Sequence, residues 1–215
     1  MVFLNKKNID VEICGWPSSG STLTFQICQE LGYKVTKTHG FRFNKNVNRY
    51  IYTIRDPRDI ILSNAKRVSK DIWKTNKQLA IKTEFNRFVK GNYEDSLKDA
   101  IQYGNCIILK YEENIFQKEM DLIKFISLQF GNIPNITGIN KIYNNTSLEE
   151  NLKRSSKMPR FGKYDPVNLV HGDHITNSGK IGGWKSEMDK KNALEITKKF
   201  YKLLIEFGYD DTKIS

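Results

Sequence analysis

Residues 15–22 read Gly-Trp-Pro-Ser-Ser-Gly-Ser-Thr, with Gly15, Gly20 and Thr22 at the spacing of a phosphate-binding P-loop, G-x-x-x-x-G-K-[ST], and Ser21 where that motif has lysine. A strand that enters a glycine turn and then a helix aims several backbone N–H groups at one point. The helix dipole adds to the pull on an anion there. Such a cradle holds phosphate without a lysine. In nucleoside triphosphatases the lysine serves chiefly the β- and γ-phosphates, so its absence points to a ligand with a shorter anionic chain. The apolar runs "VEICG" and "IILKYE" offer only glutamates, not the aspartate that would hold magnesium.

Two more positions could do chemistry. His39 follows a short alternating segment, and an imidazole near neutral pKa is suited to taking a proton from an attacking group. Arg55 closes an apolar run, and its guanidinium is a fixed fork of donors that matches phosphate oxygens.

Positioning these groups requires strands that end on one side. "IDVEICG" (9–15) reads as a strand, and "STLTFQICQELG" (21–32) as a helix with Leu23, Ile27 and Leu31 on one stripe and Gly32 at its close. "YKVTKTH" (33–39) and "RYIYTIRD" (49–56) alternate as second and third strands, and Pro57 suits the first turn of a helix through "RDIILSNAKR". Two helical patterns follow, at 71–90 and 94–104, then a fourth strand at 106–112 and a helix over 116–130 ending at Gly131. The tract 154–183 has no period, and Ile196, Phe200, Leu203 and Phe207 mark a terminal helix. Strands alternating with helices predict an α/β three-layer sandwich with a central parallel sheet, ligands at the carboxyl ends of its strands, in one domain over 1–215.

Composition sets outer bounds. The chain has 215 residues, 39% of them hydrophobic, with a formal charge of +11 that draws polyanions without choosing among them. No apolar run reaches the length that spans a bilayer, and the first ten residues lack a secretory pattern, so the expectation is a soluble cytoplasmic protein without a membrane span. Cys14, Cys28 and Cys106 are odd in number, widely spaced and set among apolar residues, which favours buried free thiols. His171 and His174, in "HGDH", lack a third spaced ligand, and no metal is expected.

Five segments, in order, resemble sulfotransferases that use 3′-phosphoadenosine 5′-phosphosulfate (PAPS). "WPSSGSTL" is similar to the family's Y-P-K-S-G-T-T-W loop, "KTH" (37–39) to its K-[ST]-H strand, and "YTIRDPRDIILS" (52–63) to Y-[VL]-x-R-[ND]-P-[KR]-D-x-x-x-S. "KYEEN" (110–114) resembles its Y-E-[DE] segment, and "NSGKIGGWK" (177–185) its R-K-G-x-x-G-D-W-K segment. The resemblance implies a P-loop NTPase-like sulfotransferase fold and transfer of a sulfuryl group from PAPS to a hydroxyl acceptor, a carbohydrate among the candidates. No metal and no nucleic acid take part in that reading. It implies His39 as general base and Lys37, on the same strand face, as the cation beside the transferring group. Pro17, Ser18, Ser19, Gly20, Ser21 and Thr22 would hold the 5′-phosphosulfate. Arg55 and Ser63 would bind the 3′-phosphate, and Gly179, Lys180 and Gly182 would close over it. Tyr111 would either contact the nucleotide or start a helix.

The chain departs from the family pattern in four places. Ser18 replaces the lysine or arginine that neutralises the departing phosphate, Leu23 the tryptophan that stacks on adenine, Asn177 and Ser178 the Arg-Lys pair, and Gly183 the usual aspartate. The interval from Gly20 to His39 also leaves no room for a long acceptor-binding insertion, so 40–48, 70–104 and 154–176 are the candidate providers of acceptor contacts. For "RDPRD", a surface helix start with ion pairs is the competing reading, better suited to Arg58 and Asp59 than to Arg55. Three other functions stay open: a P-loop kinase or nucleotide hydrolase, a sulfotransferase-like nucleotide-binding protein with impaired turnover, and, on charge alone, a nucleic-acid binder.

Overall fold

A computed structural model describes residues 9–113, 118–131, 133–159, 164–172 and 179–209. Four parallel strands form the sheet: β1 (Ile9–Gly15), β2 (Val35–Lys37), β3 (Val47–Ile54) and β4 (Cys106–Lys110), in the order β2-β1-β3-β4. All four pair in one direction, so each connection needs a crossover. Chain order reverses at β1, which has β2 on one side and β3 on the other. That arrangement opens a crevice beyond the carboxyl ends of β1 and β3.

Alternation along the strands feeds two cores. From β1 and β3, Val11, Ile13 and Ile51 point to one face and pack with Phe25 and Ile27 of α1 (Ser21–Glu30), with α6 (Glu119–Gln129) and with α7 (Ile136–Thr146). Cys14, Tyr50, Tyr52 and Ile54 point to the other face. There they meet α2 (Pro57–Arg67), α4 (Lys77–Lys90), α5 (Tyr93–Tyr103), α10 (Lys190–Lys199) and α11 (Tyr201–Glu206). Helix layers on both faces of a parallel sheet make the three-layer sandwich. Remaining helices are α3 (Lys70–Thr75), α8 (Leu148–Ser156) and the short α9 (Trp184–Glu187). Among the described residues no helix is long and apolar enough to cross a membrane.

The elements differ from the sequence reading where a side chain cuts a periodic run or a polar surface hides one. The pattern over 71–90 is two helices, because Asn76 is extended and its Oδ1 accepts from Leu79 N at 3.0 Å, starting α4 afresh. The terminal stripe likewise divides at Phe200, although Ile196, Phe200 and Leu203 are buried as its spacing predicts. Helices α7 and α8 occupy a region in which the sequence shows no clear element. Arg58 and Asp59 are not surface residues. Both are buried, Arg58 forked onto Asp56 (Nε to Oδ1 2.9 Å, Nη2 to Oδ2 2.7 Å), bonded to the Tyr209 carbonyl at 2.6 Å and stacked over Trp184. Cys14 and Cys28 are buried free thiols, and Cys106 is half-buried and free.

Candidate active site

The loop after β1 is shaped by the close approach of β3. Gly15 pairs with Thr53, and a Cβ on Gly15 would lie 2.6 Å from the Thr53 carbonyl oxygen, so only glycine fits. Ser19 turns inward. Its Oγ donates to the Trp16 carbonyl at 2.5 Å and shares a 2.6 Å hydrogen bond with Thr53 Oγ1, fastening the loop to β3. Gly20 then takes φ 89° as the N-cap of α1, with no side-chain cap and no acidic residue in the first turn. The first amides of α1 therefore lack the partner that a capping side chain would give, and they open on the crevice.

Ser18, Gly20, Ser21, Thr22, Lys37, His39, Arg55, Ser63, Tyr111 and Gly179 line one cleft of ≈ 300 Å³. Of the site residues inferred from the sequence, Pro17, Ser19, Lys180 and Gly182 are absent from that lining. Ser19 and Gly182 hold the walls instead, since the Gly182 amide donates to Asp59 Oδ2 at 2.6 Å. Asp59 Oδ1 also accepts from Trp184 N at 3.1 Å, so a buried carboxylate on α2 anchors the glycine-rich segment. Burial raises the Asp59 pKa, while Arg55 and these two amides oppose the rise. Asn177, Ser178 and His174 lie outside the described residues.

Arg55, 4% exposed, connects the two sides of the cleft. Its Nη1 donates to the Ser18 carbonyl at 3.1 Å and its Nη2 to the Lys180 carbonyl at 2.7 Å, and the guanidinium lies 4.3 Å over the Tyr111 ring. Arg55 Nε is buried and has no hydrogen-bond partner among the described residues. Tyr111 donates its hydroxyl to the Gly179 carbonyl at 3.2 Å, so it stands in the turn after β4 as a strut between wall and loop.

Lys37 and His39 follow from β2. Lys37 Nζ donates to Thr22 Oγ1 at 2.8 Å, which draws the strand end to the helix start. Burial, then the charge of Arg67, lowers the Lys37 pKa to about 8. His39 is exposed at the mouth, yet the protein around its ring desolvates it enough to lower its pKa, and the Lys37 charge adds to the effect. A hydrogen bond with the Gly15 backbone acts in the opposite direction. The imidazole is thereby held neutral and near the end of β1, able to accept a proton at pH 7.

Other walls were not apparent in the sequence. Gln26 of α1 and Asn151 of α8 exchange amide hydrogen bonds at 2.9 Å, and Gln26 also donates to the Asn168 carbonyl at 2.8 Å. Glu119 and Leu148 also line the cleft, with Glu119 Oε1 accepting from Leu148 N at 3.2 Å and burial raising the carboxyl pKa. Tyr164, His171 and Arg67 also line the cleft. Of the candidate acceptor segments, 154–176 thus reaches this cleft, while no described residue of 40–48 or 70–104 lines it. No group of three metal-ligating side chains occurs among the described residues. The arrangement can hold a doubly anionic ligand between helix amides and Arg55, with a base and a cation beside one end.

The family profile described as "Sulfotransferase domain" matches residues 34–208, a segment that starts after the phosphate loop. No curated protein matches the chain. The fold is similar to that of retinol dehydratase in complex with androsterone and inactive cofactor PAP, with TM-score 0.65, 16% identity, and coverage of 96% of this chain and 82% of that one. It is similar also to retinol dehydratase with retinol and PAP, at TM-score 0.67 and 15% identity, covering 99% and 84%. Mouse sulfotransferase SULT7A1 complexed with PAP gives TM-score 0.61 and 15% identity, covering 93% and 85%.

Proposed function

The chain belongs to the sulfotransferase-domain family and is an enzyme of the PAPS-dependent class, and from that premise we propose that it sulfates a hydroxyl acceptor by in-line attack, with His39 as general base. One observation carries the reading: the uncapped start of α1 and the buried Arg55 share a cleft with His39 and Lys37 and are joined by the Arg55–Ser18 hydrogen bond. The two ends of a doubly phosphorylated adenosine fit that pair of anion sites. Arg55 would meet the 3′-phosphate with its guanidinium and Ser63 with its hydroxyl, both residues lining the cleft. Backbone amides of 20–22 serve the 5′ end.

In the reaction, bound PAPS supplies the activated sulfuryl group. His39, neutral because its pKa is lowered, takes the acceptor's hydroxyl proton as that oxygen bonds to sulfur. The bond between sulfur and the 5′-phosphate oxygen breaks, and its electron pair stays on the phosphate. Lys37 stabilises the equatorial oxygens while Thr22 orients its ammonium. Tyr164 and His171 line the same cleft as His39, and as side chains that form hydrogen bonds they favour a polyhydroxy acceptor such as a carbohydrate.

The test is thermal denaturation with 3′-phosphoadenosine 5′-phosphate (PAP) against ATP plus magnesium, because a ligand of the native state raises the melting temperature. Stabilisation by PAP alone, followed by labelled sulfate transfer that His39→Ala abolishes, is the expected result. Stabilisation by ATP with magnesium and not by PAP would sink the reading.

A further inference from the structure

Ser18 stands where the family carries a cation, and its Oγ donates to Asn64 Oδ1 at 3.0 Å. The same oxygen accepts from Arg67 Nη2 at 3.1 Å. One amide oxygen on α2 therefore holds both the uncharged loop side chain and a guanidinium. Arg67 lines the same cleft, and its Nη1 lies 3.5 Å from Nε2 of His171, itself buried and set edge-on against Tyr164 at 5.0 Å. Asn64 and Arg67 are one helical turn apart, so the helix fixes the guanidinium's direction. The Arg67 charge also acts on both Lys37 and His39, lowering the pKa of each, which puts it within electrostatic reach of the transfer point.

Resting on the sulfotransferase reading, we propose that Arg67 is a catalytic residue that supplies from α2 the positive charge that a loop lysine would bring to the departing 5′-phosphate. When the S–O bond breaks, its electron pair and the new negative charge remain on a phosphate oxygen. A guanidinium meets that charge with a planar fork of donors and does not lose its proton. Lys37 suits the task less well, since its charge is lost above about pH 8.

The experiment compares binding of PAP and of adenosine 3′-monophosphate, which lacks the 5′-phosphate, alongside sulfate-transfer kinetics of the full chain. Arg67→Ala is expected to cut the affinity advantage of PAP over adenosine 3′-monophosphate by roughly tenfold or more, leaving the monophosphate unaffected. In the same variant kcat falls about 10²–10³-fold with little change in acceptor KM. Adding Ser18→Lys to Arg67→Ala restores both quantities in large part, and Arg67→Lys, which keeps a charge with less risk to folding, retains most of them. An unchanged PAP advantage in Arg67→Ala overturns the proposal, as does a raised acceptor KM at constant kcat, which would make Arg67 an acceptor contact. A wild-type chain indifferent to both nucleotides would instead remove the parent reading.

Discussion

Arg55 and Ser18 are joined by a hydrogen bond from guanidinium Nη1 to the loop carbonyl, 3.1 Å long across 37 residues of chain. The bond spans the crevice between β1 and β3 and brings the anion-binding ends of two neighbouring strands together. Because Arg55 also donates to the Lys180 carbonyl, one buried side chain sets the distance between phosphate loop and glycine-rich segment.

Arg55→Lys keeps the charge and discards the fork. The lysine cannot serve Ser18, Lys180 and a phosphate at once, and hydrogen bonds to charged groups contribute about 1.5–3 kcal/mol. Calorimetric titration should show PAP binding weakened by roughly one to two orders of magnitude, with the far-ultraviolet circular dichroism unchanged.

The pH profile of kcat/KM should be a bell. His39 acts when neutral, and its pKa lies below the ordinary 6.5, so activity rises as pH climbs through the acid range below that value. Lys37 acts when charged, and its pKa of about 8 makes activity fall as pH rises past that value. Lys37→Arg should abolish the alkaline limb. His39→Ala should lower kcat by about 10²–10⁴-fold at neutral pH and remove the acid limb.

Gly15→Ala should unfold the loop from β3. The new methyl would sit 2.6 Å from the Thr53 carbonyl oxygen at a backbone φ of 149°, and overpacking of this kind costs about 1–3 kcal/mol. Urea denaturation should record the loss, and PAP binding should weaken with it because the loop carries the amides.

Leu23→Trp should tighten nucleotide binding. Leu23 lines the cleft where the family places a stacking tryptophan, and stacking of a base on an aromatic ring contributes about 1–3 kcal/mol. A gain in PAP affinity, with no gain for inorganic phosphate, would locate the adenine at that end; equal gains would refute the placement.

The sequence by itself determined the order of strands and helices, the glycine turn before α1, and the candidates His39, Lys37 and Arg55. Periodicity, turn residues and helix caps act over a few neighbours, and they could be read from β1 through α2. Helices α7 and α8 escaped because segments such as "ITGINKIYNNT" carry Gly, Asn and Thr of low helix propensity and bury only a narrow stripe, Ile139, Ile142 and Thr146. Only the tertiary structure decided that Ser19 faces inward, that Asp59 anchors Gly182 and Trp184 from 123 and 125 residues away, and that Asn64 gathers Ser18 and Arg67. Those meetings depend on how the crossovers pack α2 against the strand ends, and local spacing carries no record of that distance.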